Sequence, residues 1–295
     1  MSLVATLISH PEKRMLTPDV ATMAMKALDA SAIDWLGENL ACDIAVKPGV
    51  EPAEADAKLR VTLARIPVDI AVQEAQNRRK KMLIADMDST MIDQECIDEL
   101  AAELGLKQAV AEITRRAMNG EIAFEPALEE RVALLRGLPL DVIDSVIEKR
   151  ITLASGGRTL VATMKASGAF TALVSGGFEQ FTGPVGGKLG FHTQQANRLL
   201  THEGKLSGEV AKPILGRAAK AEALDRLIAQ LGITRQDVLA VGDGANDLDM
   251  IERAGLGVAL HAKPAVAAQA GVRIDHGDLT ALLFLQGYRE AEFVQ

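Results

Sequence analysis

Aromatic residues make up only 3% of the 295-residue chain, with a single tryptophan and a single tyrosine. Bulk falls instead to alanine and leucine within a 48% hydrophobic composition, which favours helices and tightly packed α/β layers. Cysteine is almost absent. Cys42 and Cys96 are far apart and lack metal-ligand spacing, so a disulfide is not expected and a reducing compartment fits. The five histidines form no spaced cluster, which leaves zinc without a ligand set. Basic residues are not in excess. The net charge of −8 gives nucleic acid no electrostatic footprint. No run of about 18 apolar residues could span a membrane. No basic segment leads into an apolar one at the N-terminus, so no signal peptide is expected and a cytoplasmic location is.

What is present falls into two parts. Residues 1–78 alternate strand-like and helix-like stretches in the order βαββαβ: Leu3–Ile8, Pro18–Leu28, Ala32–Leu36, Ala41–Val46, Pro52–Ile66 and Val68–Val72. That order predicts a ferredoxin-like α+β unit. The charged stretch Gln73–Lys81 reads as a solvated connector to residues 79–295. There an apolar run, Met82 to Ala85, is followed by four helical patterns between about 93 and 152, three of them closed by Gly105, Gly120 and Gly137. Strand and helix then alternate, with strands expected at Phe170–Val174, Val238–Val241, Gly257–Leu260 and Val272–Ile274. This is the pattern of a doubly wound parallel sheet with a small inserted helical cap. Leu199–Val210 reads as a hairpin lying over the strand ends.

Four stretches carry chemistry. Asp86 and Asp88 leave the end of the first buried strand two residues apart, where repulsion between carboxylates calls for a cation or a shared proton. Ser175-Gly-Gly177 ends a second strand with a hydroxyl and backbone that an anion can approach closely. Lys220 lies in a helix-like segment, and Gly242-Asp-Gly-Ala-Asn-Asp247 ends another strand with clustered carboxylates. Phosphoryl transfer needs such a set: acids, a lysine, backbone donors and a hard cation. Gly183-Pro-Val-Gly-Gly-Lys-Leu189 is one residue short of a phosphate-binding P-loop and ends in Leu189 rather than a hydroxyl residue.

In order and chemistry these stretches resemble the haloacid-dehalogenase-like (HAD) phosphatase superfamily, over about residues 81–290. Its Asp-x-Asp-x-Thr motif matches Asp86–Thr90, its strand-end serine Ser175, its lysine Lys220, and its Gly-Asp-Gly-x-Asn-Asp motif Gly242–Asp247. Asp-Met-Asp-Ser-Thr with Glu95, a helical cap and Ser-Gly-Gly-Phe is similar to the phosphoserine phosphatase branch. The resemblance implies hydrolysis of O-phospho-L-serine through an aspartyl phosphate. In it Asp86 is the nucleophile and Asp88 the general acid and base, and Mg²⁺ is held by Asp86, the Asp88 carbonyl oxygen and Asp243, with Asp247 behind them. Ser175, Gly176 and Lys220 would hold phosphoryl oxygens, and Asn246 would fix the substrate. Glu95 would read the ammonium and Arg131 the carboxylate, with Met118 and Phe124 shielding the site. Arg115 and Arg116 compete with Arg131 for its role, and Glu99 with Glu95. Another small phosphomonoester, or a phosphoaspartate signalling role, would use much of the same machinery. The N-terminal unit is similar in element order to ACT-type amino-acid-binding domains, which implies a regulatory or dimerising role, with a homodimer as the expected assembly.

Overall fold

Strands buried on both faces form where the sequence is continuously apolar, and strands of one-sided burial form where it alternates. Both kinds occur in the computed structural model, which describes residues 2–118 and 121–295. The first unit runs β1 (Leu3–Ser9), α1 (Pro18–Ala27), β2 (Ile33–Gly37), β3 (Ala41–Val46), α2 (Pro52–Thr62) and β4 (Val68–Glu74). Thr17 caps α1 by accepting the Val20 N–H, with Pro18 in the first turn. The strands pair antiparallel in the order β2-β3-β1-β4, the ferredoxin-like arrangement.

The chain continues through β5 (Met82–Ala85), α3 (Cys96–Glu103), α4 (Lys107–Met118), α5 (Phe124–Ala133), α6 (Leu140–Lys149), α7 (Gly157–Ala166), β6 (Phe170–Phe178), α8 (Glu179–Leu189), β7 (Thr193–Asn197), β8 (Leu199–His202) and β9 (Lys205–Val210). It ends with α9 (Arg217–Leu231), β10 (Val238–Gly242), α10 (Leu248–Arg253), β11 (Leu256–Leu260), α11 (Pro264–Ala267), β12 (Val272–Ile274) and α12 (Ala281–Leu285). Six parallel strands lie in the order β12-β11-β10-β5-β6-β7. Alternation along β5 divides the core. Met82 and Ile84 pack with Leu224 and Leu227 of α9, while Leu83 and Ala85 join Leu160, Val161 and Phe181 from α7 and α8. After β7 the chain returns to β10 on the other side of β5, which places a topological switch between β5 and β10.

The helices α3–α6 leave and rejoin this sheet at one place, where Ile92 bridges Leu153 and the Ala154 N–H bonds the Met91 carbonyl. The hairpin β8–β9 packs with these cap helices. It docks on the α5–α6 connection, where Gly137 N–H donates to the Leu206 carbonyl and Leu206 N–H to the Leu138 carbonyl. The apolar Leu199 and Leu206 draw it into the same core as the cap residues Leu135 and Leu138. The helices α8, α10 and α12 and the edge strand β7 escape the sequence reading.

The connector after β4 is mostly exposed, as expected, but one of its members turns inward. Arg78 is 10% exposed and pairs with Asp43 at 2.5 Å. It also donates to the Phe284 and Leu285 carbonyls at 2.9 and 3.0 Å, satisfying the end of α12. All five residues of α12 are buried, because the helix is wedged between the two units. Ile8, Leu36 and Ala71 of the first unit share one apolar cluster with Leu283 and Phe284. On β4 the buried Asp69 accepts the backbone N–H groups of Asp275 and Gly277, both at 2.7 Å, and of His276 at 3.1 Å. No helix among the described residues is long and apolar enough to cross a membrane.

Candidate active site

The site forms where β5, β6 and β10 end. The Asp86 N–H donates to the Val241 carbonyl at 3.0 Å, carrying the β5–β10 ladder one residue onward and presenting its carboxylate beside Asp243. A short helical turn, Ala245–Asp247, folds Asp247 back against the end of β10. Only glycine permits this, since a Cβ on Gly242 would lie 2.3 Å from the Asp247 carboxyl carbon. The helix α9 points Lys220 inward from its first turns. Lys220 Nζ lies 2.6 Å from both Asp86 Oδ1 and Asp247 Oδ1.

Charge is unbalanced here. Asp86, Asp243 and Asp247 each place a carboxylate oxygen within 4.8 Å of the others, against one ammonium. Burial, with Asp86 and Asp247 alongside, pushes Asp243 up to about 8. Burial and Asp86 push Asp247 up to about 6, although Lys220 opposes them. Burial pulls Lys220 downward, yet the two carboxylates outweigh it and hold its proton firmly. Asp247 is saturated, with Oδ1 on Lys220 and Oδ2 accepting the Gly244 N–H at 3.0 Å. This suits Asp247 to a place behind a cation, with Asp86 and Asp243 in front. An all-oxygen donor set with surplus negative charge fits a hard divalent cation.

Asp88 points away from that cluster, and its neighbours differ. Its Oδ1 accepts the Cys96 N–H at 2.9 Å, at the start of α3, and its Oδ2 faces Ser175 Oγ at 3.3 Å. Burial first, then Glu95 and Asp86, push it up to about 7. A carboxyl group poised there can give and retrieve a proton near neutrality. Ser175 is buried, and its Oγ also accepts the Gly177 N–H at 2.9 Å. Gly177 must be glycine, because a Cβ would lie 2.4 Å from Asp88 Oδ2.

The cap brings Phe124 over the site, its ring 3.4 Å from where a Cβ on Gly176 would stand and 3.3 Å from the same point on Gly216. Asn246 Nδ2 lies 3.7 Å from that point on Gly176. Glu95 precedes α3, and its Oε1 accepts from Ser89 Oγ at 2.7 Å. Arg131 is half-buried on α5, with Nε on the Ala127 carbonyl and Nη1 on Thr114 Oγ1 at 3.2 and 3.4 Å. Burial lowers its affinity for a proton, while Glu95, Asp98 and Asp88 favour its charge. Its adjacent glutamates are engaged elsewhere, Glu129 with Lys212 and Glu130 with Arg116. Arg115 is exposed and pairs with Glu112. Glu99 is taken by Lys107 and Arg150. Of the rivals, Arg131 and Glu95 are the ones whose charges bear on Asp88. Met118 closes α4, and its side chain lies outside the described residues.

Sequence reasoning passed over Asn197, which is buried behind Gly176 and donates to its carbonyl at 2.9 Å. A polar residue at the end of an unrecognised edge strand left no signal in a single sequence.

A haloacid dehalogenase-like hydrolase family model matches residues 83–252. A phosphoserine phosphatase of Archaeoglobus fulgidus is 42% identical over 79% of this chain, which spans 68% of that protein. Among solved structures, a HAD family hydrolase of Salmonella enterica serovar Typhi aligns at TM-score 0.84 and 29% identity, covering 97% of this chain and 98% of its own. A phospho-aspartyl intermediate analogue of phosphoserine phosphatase aligns at TM-score 0.66 and 40% identity, over 70% of this chain and 98% of its own. With its four motifs gathered at the ends of β5, β6 and β10, the chain belongs to the haloacid dehalogenase-like hydrolases and groups with the phosphoserine phosphatases among them.

Proposed function

We propose that the protein hydrolyses O-phospho-L-serine to serine and phosphate, through a phosphorylated Asp86 and with Mg²⁺. The observation that carries this reading is the separation of two carboxylates two residues apart into two environments. Asp86 is paired with a buried ammonium at 2.6 Å, whereas Asp88 lies beside Ser175 with its carboxyl pushed up to about 7. One is built as a nucleophile, the other as an acid and base.

In this mechanism a carboxylate oxygen of Asp86 attacks phosphorus, and the bond from phosphorus to the seryl oxygen breaks. The proton on Asp88 passes to that departing oxygen. Asp88, now ionised, takes a proton from water, whose oxygen attacks the aspartyl phosphate and releases phosphate and the Asp86 carboxylate. Ser175 Oγ, the Gly176 backbone and Lys220 hold the phosphoryl oxygens in line. Asp86, Asp243 and the Asp88 carbonyl would hold Mg²⁺, which offsets the charge shared by these carboxylates and the phosphoryl group. Arg131 suits the substrate carboxylate, to which a guanidinium can bind at two points. Glu95 suits the ammonium, and Phe124 excludes water from above.

Phosphate release from a panel of small phosphomonoesters, with and without Mg²⁺, tests the proposal. Phosphoserine should lead the panel, and both chelation and Asp86→Asn should abolish turnover. Higher activity on another ester would retain the chemistry and overturn the substrate.

A further inference from the structure

We infer that Asn197 is a positioning residue for phosphoryl transfer, holding the Ser175–Gly177 loop and the approach to the Lys220 helix in one fixed relation. The inference rests on the proposed chemistry but not on phosphoserine as the substrate. Its basis is the way β6 leaves its ladder. Val174 pairs with Gln195 and Phe178 with Asn197, and the register shifts between them. Ser175, Gly176 and Gly177 are therefore released from strand pairing so that they can curve around an anion. A carbonyl released from the ladder and turned inward needs another partner.

Asn197 supplies it. The side chain is 3% exposed and uses its whole amide. Its Nδ2 donates to the Gly176 carbonyl at 2.9 Å and to the Leu215 carbonyl at 3.2 Å, and its Oδ1 accepts the Leu215 N–H at 2.7 Å. Both ends of this bridge lead to the site. The peptide whose carbonyl Asn197 holds is the one whose N–H, on Gly177, donates to Ser175 Oγ, and that hydroxyl faces Asp88. Leu215 immediately precedes Gly216, whose carbonyl accepts the Lys220 N–H at 3.2 Å. One amide thus hydrogen-bonds together two anion-holding elements that lie far apart along the chain. Without it the serine hydroxyl and the lysine keep their chemistry but lose their common frame, and misplacement of this kind weakens catalysis more than binding.

The test compares Asn197→Ala and Asn197→Asp with Leu199→Ala, a cavity variant two residues away that leaves the amide intact. Steady-state kinetics use the ester that wild type turns over fastest, each protein being assayed well below its own Tm. A reduction in kcat of tenfold or more in both Asn197 variants, with KM within threefold, native circular dichroism and a near-normal kcat for Leu199→Ala, is the expected result. The aspartate matters because it keeps the size and the acceptor for Leu215 while removing both donors. A kcat within twofold of wild type in either folded variant would overturn the inference, as would an equal loss in Leu199→Ala. Failure of both Asn197 variants to fold would also overturn it, because the amide would then serve folding alone. Should the best ester not be phosphoserine, the substrate proposal fails while this comparison stands.

Discussion

Lys220 Nζ stands 2.6 Å from Asp86 Oδ1, with the lysine side chain wholly buried and that of the aspartate 5% exposed. The ammonium also serves Asp247, so it neutralises one of two negative charges and leaves the pocket short of a cation. The pocket therefore carries surplus negative charge. That surplus makes the site dependent on what binds there.

Replacing Lys220 with methionine leaves two buried carboxylates without their partner. Removing one side of a buried ion pair costs about 3–5 kcal/mol. The urea midpoint should fall accordingly, and turnover should drop by at least ~10²-fold, the scale of losing one charge-stabilising group. A variant of wild-type stability would contradict the assigned pairing.

Cation-free protein should lose stability as pH rises. Asp247, Asp88 and Asp243 titrate at about 6, 7 and 8 in the folded state, above the unfolded carboxylate value of about 4. Between those limits the folded chain holds more protons than the unfolded chain, so its stability declines with pH. His192, which burial holds below its ordinary value, titrates in the opposite sense and is common to wild type and variant. Thermal melts in chelator from pH 4.5 to 8.5 should therefore show a downward slope that Asp243→Asn flattens. Mg²⁺ should raise the wild-type Tm most at the alkaline end and leave Asp243→Asn nearly unmoved. A wild-type Tm that climbs across this range in chelator would refute the account.

Arg131→Ala should raise KM for phosphoserine by about 10- to 100-fold, equivalent to a hydrogen-bonded charge contact of roughly 1.5–3 kcal/mol. Phosphoethanolamine, which lacks the carboxylate, should be turned over by variant and wild type alike. Glu95→Gln should penalise both substrates, because both carry the ammonium. Equal loss on the two esters after Arg131→Ala would assign the arginine to cap packing.

Arg78→Ala should destabilise the protein by about 3 kcal/mol, since it strands Asp43 and unties the end of α12. At 25 °C its kcat should stay within twofold of wild type, because no atom of the pair reaches the site. Residues 79–295 expressed alone should bind hydrophobic dyes strongly and melt earlier, since the truncation bares α12 and its neighbour Tyr288. Unchanged melting of the fragment would show that the shared core contributes nothing.

The chemistry-bearing strands were legible because β5 and β10 are short, continuous apolar runs ending in acids, and such runs have few other uses. The cap helices were legible from their glycine stops, and Gly105 and Gly137 do take positive φ. The helix α8 was hidden because it contains Gly183, Pro184, Gly186 and Gly187, all poor helix formers. Packing overrides that preference: a Cβ on Gly186 would already touch Leu173 at 3.6 Å. Arg78 was misjudged for a different reason. A charge run discloses its polarity but not which member turns inward; Asp43 and the orphan carbonyls of α12 select this one. Asn197 was illegible because its partners are backbone groups, which every residue possesses.

The placement of the site on β5, β6 and β10 has a consequence for synthesis. Met82 pairs with Phe170 on one side and with Val238 on the other. The two closures span roughly 90 and 155 residues, each costing about 4 kcal/mol of chain entropy before any contact repays it. No catalytic fragment can therefore ripen early on the ribosome. Asp86 leaves the exit tunnel long before Lys220, Asp243 and Asp247, and the site is complete only once β10 has emerged and docked beside β5.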